Sequence, residues 1–510
     1  MNINQLKAGA FLSYVLILLS NIMGVVYTPF MLRMMGQSEY GLYALIASIV
    51  GYLTILDFGF GNAIIRYTAK YRSLNQKDEE YNLNGMFMIV YSLIALLVVV
   101  IGIVLYLNVA NIFSNTMTVA EVEKARIMMI LLIFNLAIAF PLGIFGFIVT
   151  AYENYVFSRS ISIIRVVIYP CIMVPMLMMG YRAIGMIVVA TVLNIATLLI
   201  NMVYCFVKLK IKLYFNKFNF SLLKEISTYS FFTFLIMIVD KINWSADQFI
   251  LGAVSGTVMV AIYSVAAQLN TYYLSFSTAI VGVFLPRITA MVTNNATEDE
   301  ISDLFIKIGR VQYIIMAFVM SGFLLIGQEF INIWAGKDYK SAFYIAAILM
   351  IPVTVPLIQN LGISILQAQN KQKFRTFVLT SIAGLNIALS IPLGKLYGGI
   401  GCAIGTSVAL ILGPVILMNI YYYKKIHINI PKFWKEILIM TIPVVIAVVI
   451  GMGMNYLWKS SGYIDLLLKA SIFSVIYVPL MWFLGMNKYE KDLFRGPVLK
   501  ILRKTKLIGA

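Results

Sequence analysis

Charged residues are scarce in this sequence of 510 residues: they make up 12% of it, about half the share of a soluble protein. Histidine occurs once, as His427, and the three cysteines, Cys171, Cys205 and Cys402, stand alone in apolar stretches. The sequence therefore predicts neither a disulfide framework nor a metal centre. It also lacks the motif G-x-x-x-x-G-K-[ST], which excludes an ATPase of that type. We expect no cofactor and no bound metal ion, and no loop is large enough to fold as a catalytic domain.

Apolar residues dominate instead: they form 61% of the chain, and the mean hydropathy is +0.91. A run of about 20 apolar residues crosses a bilayer as a helix, and such runs recur along the whole sequence. The first of them is too long for the apolar region of a signal peptide, so we interpret it as a spanning helix. The predicted spans are 10–34, 41–64, 85–108, 126–150, 159–179, 183–207, 228–252, 258–285, 308–334, 341–366, 376–395, 399–422, 436–458 and 463–486. The fold class is therefore an all-α integral membrane protein with about fourteen transmembrane helices.

Lysine and arginine, which give a net charge of +18, lie mostly in short loops between the spans. One set of alternate loops, which includes both termini, holds 29 of these residues, and the other set holds 9. This bias predicts that both termini are cytoplasmic. Because the positive charge is spread over short loops, we expect no nucleic-acid partner.

An internal repeat divides the sequence. "GQSEYGLYALIAS" at Gly36 matches "GTVMVAIYSVAAQ" at Gly256, and "RYTA" at Arg66 matches "RITA" at Arg287, with an offset of 220 or 221. Spans 1–6 therefore look duplicated as spans 7–12, which predicts two lobes of equal orientation related by an axis along the membrane normal. We predict an N-terminal six-helix lobe at 1–215 and a C-terminal six-helix lobe at 216–425. Two extra helices and a basic cytoplasmic tail follow at 426–510.

Polar residues inside the spans are the candidate site residues, because a charge within a bilayer is costly and usually faces an internal cavity. Span 7 carries Asp240, Asn243 and Asp247 on one helical face, with Lys241 beside them. Asp240 and Lys241 either neutralise each other or take separate partners. Further candidates are Asn270 in span 8 and Asn360 and Gln367 in span 10. Hydrogen bonding between helices is the alternative role for such amides.

Asp57 is a candidate in span 2, where it stands among Phe and Gly nine residues before Arg66. A straight helix places these two residues about 13 Å apart, so they cannot pair along it. Asp57 therefore needs a polar partner from another span, or water. Arg66 has a repeat counterpart, Arg287, whereas Asp57 maps near the uncharged Ser277.

Three segments, "GQSEYGLYALIASIVGYLTILDFGFGNAIIRYTAKY", "SGTVMVAIYSVAAQL" and "GKLYGGIGCAIGTSVA", resemble the Wzx-type flippases of the polysaccharide export family. That family belongs to a superfamily with the MATE multidrug exporters and the lipid II flippases. The resemblance implies a MATE-like pair of six-helix lobes in the bacterial inner membrane. It also implies the flipping of undecaprenyl-pyrophosphate-linked oligosaccharide from the inner to the outer leaflet, by alternating access, for surface polysaccharide such as O-antigen, capsule or exopolysaccharide.

A cationic cavity for the pyrophosphate is part of that implication, with Arg66, Arg165, Lys241 and Arg287 as candidates by position and charge. Arg66 and Arg287 lie near helix ends, where arginines also serve as membrane anchors. Candidate coupling ions are H⁺ and Na⁺, and candidate partners are a polysaccharide polymerase and a ligase. An ion-coupled multidrug or cation exporter of the same fold is the first alternative. A membrane glycosyltransferase or polymerase is the second, although we predict that the chain is not an enzyme.

Overall fold

The computed structural model describes residues 5–495 except positions 217, 295, 370 and 461. Side chains at 229, 232 and several positions between 279 and 293 are also outside the description. The described chain is helical throughout and contains no strand. The helices are α1 Gln5–Met35, α2 Gln37–Tyr52, α3 Phe60–Ser73, α4 Lys77–Phe113, α5 Val119–Ala151, α6 Tyr155–Met178, α7 Ala183–Val207, α8 Phe220–Val254, α9 Thr257–Thr293, α10 Glu298–Trp334, α11 Ser341–Ile358, α12 Leu361–Ala368, α13 Gln372–Leu410, α14 Met418–Lys425, α15 Ile430–Leu457 and α16 Tyr463–Leu480. The predicted basic tail beyond 495 lies outside the described residues.

The helices confirm the predicted fold class. Among the described residues, eleven helical stretches are long and apolar enough to cross a membrane, and α8 raises the number to twelve if it is one bent span. One of the eleven, Gln372–Lys425, covers two predicted spans. Gly398, with a φ of 58°, marks the kink between them. The span predicted at 258–285 lies on α9. Each predicted span thus falls on helical residues, and the count of about fourteen is approximate.

Two of the predicted spans are broken, which hydropathy did not indicate. Span 2 consists of α2, a 3₁₀ turn at Leu53–Asp57 and α3. Span 10 consists of α11 and α12, separated at Gln359 and Asn360. A break inside the membrane leaves backbone groups that need other partners, so polar side chains are expected beside it.

Helix starts follow ordinary local chemistry. Thr118 and Glu121 form a capping box at the start of α5, and Thr297 and Glu300 form the same box at the start of α10.

The described chain forms two compact units. Unit 1 comprises Met1–Ser264 and Ile387–Cys402, and unit 2 comprises Val265–Asn386 and Ala403–Ala510. In unit 1, α5 packs against α4 and α7; in unit 2, α10 packs against α11 and α15. Because these units divide α9 and α13, they differ in outline from the lobes predicted at 1–215 and 216–425, and those boundaries stay a prediction.

Large apolar side chains are exposed along the outer faces of the helices. On α15, Leu438, Ile442, Val445 and Val449 follow one another at helical spacing and are 54–65% exposed. In water such a stripe would be unfavourable, whereas in a bilayer it meets hydrocarbon. The exposed stripe therefore agrees with a chain embedded in a membrane.

Candidate functional site

Asp57 lies at the break in span 2. Phe58 and Gly59, which follow it, adopt left-handed backbone conformations with φ of 52° and 74°. The half-buried Asp57 carboxylate accepts a hydrogen bond from Tyr91 Oη at 2.5 Å and interacts with the backbone N–H groups of Gly59 and Gly61. The predicted polar partner from another span is therefore present, since Tyr91 lies on α4. The carboxylate also satisfies backbone donors at the start of α3, which the break leaves open.

Unit 2 contains a related contact around Ser277, the residue that the repeat aligns with Asp57. Gln312 Nε2 donates to Ser277 Oγ at 3.1 Å, and Asn360 Nδ2 donates to it at 3.2 Å. Ser277 Oγ itself donates to the carbonyl of Leu357, two residues before the break at Gln359 and Asn360 between α11 and α12. Gln312 follows Tyr91 by the repeat offset of 221, so both units place a hydrogen bond at equivalent positions.

The residues of the polar face predicted on α8 differ in how deeply they are buried. Asp240 is exposed, Lys241 and Asn243 are half-buried, and Asp247 is only 3% exposed. Asp247 Oδ2 accepts a hydrogen bond from Tyr263 Oη on α9 at 2.5 Å. Lys241 Nζ lies against α2, where a Cβ atom added to Gly51 would be 3.3 Å from it. The structure thus places Lys241 and Asp247 inside unit 1, with different neighbours.

Arg165 heads a chain of polar side chains that crosses three helices of unit 1. Its Nη1 donates to Asn194 Oδ1 on α7 at 3.0 Å, and Asn194 Nδ2 donates to Asn135 Oδ1 on α5 at 2.9 Å. Arg165 is half-buried, and its guanidinium carries five N–H donors, of which this chain of side chains uses one. Sequence reasoning missed both asparagines, although each lies inside an apolar span.

The remaining predicted residues have different surroundings. Arg66 is exposed and lies 5.9 Å from the ring of its neighbour Tyr67, as an anchoring residue would. Asn270 is buried, and its side-chain oxygen has no hydrogen-bond partner among the described residues. Gln367 is exposed at the end of α12. Arg287 lies outside the residues whose side chains are described.

Tyr152, in the turn between α5 and α6, joins a polar cluster that the sequence did not indicate. Its hydroxyl donates to the buried Glu80 at 2.8 Å, and the guanidinium of Arg72 lies 4.6 Å from its ring centre. Burial, followed by the hydrogen bond to Glu80, raises the pKa of Tyr152 above its usual range. The phenol therefore stays protonated and remains a donor to Glu80 at neutral pH.

Two buried ion networks join the last two helices to α10, and neither was predicted. Arg310, 5% exposed, donates to Glu490 through Nε at 2.5 Å and Nη2 at 3.0 Å, and to Glu436 through Nη1 at 2.5 Å. Lys469, which is fully buried, lies 2.8 Å from Glu329. Buried charges need such partners, because an unpaired ion in a low-dielectric interior is strongly unfavourable. These networks therefore act in the fold of unit 2.

The family and the relatives of the chain agree with this architecture. A family model described as "Polysaccharide biosynthesis protein" matches residues 6–292, which is more than half of the chain. A Shigella flexneri protein provisionally named O-antigen transporter is 23% identical over 401 residues, covering 77% of this chain and 92% of that protein.

Solved structures with the same fold include the lipid II flippase MurJ in an inward closed conformation. It has a TM-score of 0.72 and 16% sequence identity, and the match covers 96% of this chain and 99% of MurJ. An inward-facing multidrug resistance transporter of the MATE family and MOP superfamily has a TM-score of 0.65 and 13% identity, covering 82% of this chain and 95% of that one. These likenesses confirm the predicted MATE-like fold. The relatives are transporters and flippases, in agreement with the prediction that the chain is not an enzyme, and the chain belongs to the polysaccharide biosynthesis protein family.

Proposed function

We propose that this protein flips undecaprenyl-pyrophosphate-linked oligosaccharide repeat units from the inner to the outer leaflet of the bacterial inner membrane by alternating access. The product would serve surface polysaccharide synthesis, and both termini would face the cytoplasm. Membership of the family, together with a fold like that of MurJ over nearly the whole chain, supports a lipid-linked sugar as the substrate class.

The observation that carries the proposal is the presence of half-buried cationic groups inside the spans of unit 1. Arg165 is held by the chain of asparagines from α5 and α7, and Lys241 lies against α2. A guanidinium suits a phosphate, because its forked N–H groups match two oxygens. We assign Arg165 and Lys241 to the pyrophosphate headgroup, while the lipid tail stays in hydrocarbon.

The membrane potential is a sufficient source of energy for this movement. At about 2.3 kcal/mol per charge per 100 mV, two negative charges that leave a negative interior gain roughly 4–5 kcal/mol. Counter-movement of H⁺ or Na⁺ through Asp57, Asp240 or Asp247 is the alternative. Collapse of the pH gradient at constant potential tests the proton version, because only proton coupling would then lose transport.

Deletion of the gene tests the function directly. Lipid-linked repeat units should accumulate on the inner leaflet, as measured by their accessibility to a membrane-impermeant lectin in inverted and right-side-out vesicles. A plasmid with the wild-type chain should restore the outer pool. Normal leaflet distribution with intact polymer in the deletion strain would contradict the proposal. A polymerase or a ligase would act after this step, so loss of either should leave repeat units on the outer leaflet.

A second candidate function, export of cationic drugs, is favoured by one observation. Asp57 and Asp247 are acids within the spans of unit 1, and Asp247 is almost fully buried. Such carboxylates suit a cationic substrate as well as a coupling ion. Efflux of a fluorescent cation from cells that express the wild-type chain, but not the Asp247→Asn variant, would support this function.

A further inference from the structure

A cleft of about 870 Å³ lies where α14 ends and α15 begins, in unit 2. Lys424, Lys425, His427 and Asn429 line it, and Asp299 at the start of α10 contributes the one carboxylate. None of these residues belongs to the proposed transport site. The cleft is therefore a candidate for a separate binding site.

The loop that forms the cleft is fixed by hydrogen bonds. The N–H of Ile428 donates to the carbonyl of Tyr422 at 3.0 Å, and the N–H of Asn429 donates to Ser302 Oγ on α10 at 2.9 Å. Asn429 Oδ1 accepts from the N–H of Lys432 at 3.0 Å and so caps α15. Between these bonds, His427 has a left-handed φ of 59°. These hydrogen bonds thus hold in place the backbone that carries the basic side chains.

The cleft has an excess of positive charge. Lys432, which follows it, binds Asp303 at 2.9 Å and is neutralised. Within the described part of the chain, neither Lys424 nor Lys425 forms an ion pair, and both are exposed. The start of α15 adds the partial positive charge of a helix N-terminus. The two exposed ammonium groups outnumber the one carboxylate, Asp299, and this net positive charge fits a phosphate.

An apolar stripe leads to the cleft from the membrane side. Leu412, Ile416, Ile420 and Tyr423 are spaced by four, four and three residues, and they are 43–53% exposed. Leu412 and Ile416 lie in the π-helical stretch Ile411–Leu417, and Ile420 and Tyr423 lie on α14, so these spacings keep the four side chains near one side of the helix that ends at Lys425. A ligand that fits both features has a phosphate headgroup and an acyl chain.

We propose that this cleft binds the phosphate headgroup of an anionic phospholipid, with an acyl chain along the stripe. This site does not depend on the proposed flipping function, because it needs only a bilayer that contains acidic lipid. Juxtamembrane lysines attract such lipids by about 1 kcal/mol each, so the two lysines together account for about a thirtyfold difference in affinity.

Native mass spectrometry of the full chain in detergent tests the proposal with added phosphatidylglycerol or phosphatidylcholine. Phosphatidylglycerol should bind preferentially, and Lys424→Gln/Lys425→Gln should weaken its binding about thirtyfold. Lys424→Arg/Lys425→Arg should retain binding, because it keeps the charge. The matched control is Lys208→Gln/Lys210→Gln, which removes two exposed lysines after α7 that do not line the cleft, and should bind as the wild type does.

Three outcomes would overturn the proposal. Equal loss in both double glutamine variants would show attraction by general charge rather than a site. Equal binding of the two lipids would remove the role of the headgroup charge. Displacement of phosphatidylglycerol by millimolar inorganic phosphate would assign the cleft to a free phosphate instead of a lipid. A variant that fails to elute as the wild type does on gel filtration is replaced by the single substitution Lys424→Gln, with an expected loss of about fivefold.

Discussion

Tyr91 donates a hydrogen bond to Asp57 across α4 and the break in span 2, and Gln312 donates to Ser277 at the equivalent positions of unit 2. The geometry is repeated, but only unit 1 carries an ionisable acceptor. Because Ser277 cannot ionise, a charge-dependent step at these repeat-related positions would involve Asp57 alone. The duplicated halves of the sequence are therefore chemically unequal at a shared structural position.

Tyr91→Phe removes the donor and leaves the half-buried carboxylate with fewer partners. We expect the free energy of unfolding to fall by about 1.5–3 kcal/mol, the usual range for a hydrogen bond to a charged group. Thermal unfolding in detergent, followed by tryptophan fluorescence, measures this change. Tyr106→Phe on the same helix is the control, since the Tyr106 ring is near Arg126 but its hydroxyl has no hydrogen bond among those described. Equal melting of the two variants would contradict the role of the Tyr91 hydroxyl.

Asp57→Asn keeps an acceptor for Tyr91 and removes the charge. If the charge serves transport, export should fall about tenfold, which corresponds to about 1.4 kcal/mol, while the protein folds normally. The outer pool of lipid-linked repeat units measures export, and membrane abundance measures folding. Ser277→Asn, at the repeat-related position of unit 2, should leave export nearly unchanged. Full export in Asp57→Asn would remove Asp57 from the mechanism.

Arg165→Gln, Lys241→Gln and Asp240→Asn test the predicted polar groups one at a time. Each should reduce export without preventing insertion, and the loss should be largest for Arg165, because its guanidinium is oriented by Asn194. Asn194→Leu should reproduce part of the Arg165 effect, since it removes that orientation. Full activity in the three single variants would eliminate the cationic headgroup site.

Arg310→Met leaves Glu490 buried without its partner and breaks the contact with Glu436. We expect a loss of about 3–5 kcal/mol in the free energy of unfolding, as for other buried pairs that lose one member. Lys432→Met disrupts the exposed pair with Asp303 and should cost less than about 1 kcal/mol. Denaturation in detergent micelles compares the two. Similar midpoints would mean that the buried network adds little to stability.

Gly41→Ala tests the close approach of α2 to α9. A Cβ at Gly41 would lie 1.8 Å from the carbonyl oxygen of Thr257, so the two backbones must separate, at a cost of about 1–3 kcal/mol. Gly143→Ala meets no atom within 4 Å and should be neutral or slightly stabilising, because alanine favours helix. Melting temperatures of the two variants should therefore move in opposite directions or differ by several degrees. Identical shifts would contradict the close packing.

Hydropathy predicted the helices well because the bilayer requires long apolar runs and allows few other backbone structures. It could not predict the break at Leu53–Gly59, since the single charge of Asp57 does not end the apolar run and the left-handed residue Phe58 carries no signal of its own. Asp57 stabilises the break. The sequence shows its charge but does not identify Tyr91 as its partner.

The distance of each residue from the turn of its helical hairpin could have identified two of the hydrogen-bonded pairs. Asp57 and Tyr91 lie equally far along the chain from Leu74 in the turn between α3 and α4. Asp247 and Tyr263 lie equally far from Ser255 in the same way. Antiparallel neighbours at equal distance from a turn stand at the same height, so their polar groups can meet.

No such rule predicts the other contacts. Arg310 and Glu490 are 180 residues apart, and no periodicity or repeat relates them. Their pairing depends on how α10 and the end of the helical pair α15–α16 pack, which the sequence alone does not specify. Arg165 was recognised as a cation within a span, but Asn135 and Asn194 required the packing of α5, α6 and α7 to become its partners.

The two networks that fasten α15 and α16 to α10 have a consequence for shortening the chain. Arg310 and Glu329 lie on α10, and their partners Glu490 and Lys469 are contributed from beyond residue 425. A chain cut after α14 would leave the guanidinium of Arg310 and the carboxylate of Glu329 without these partners. We therefore expect the final helical pair to stabilise the second unit, and a shortened chain to need uncharged replacements at both positions of α10.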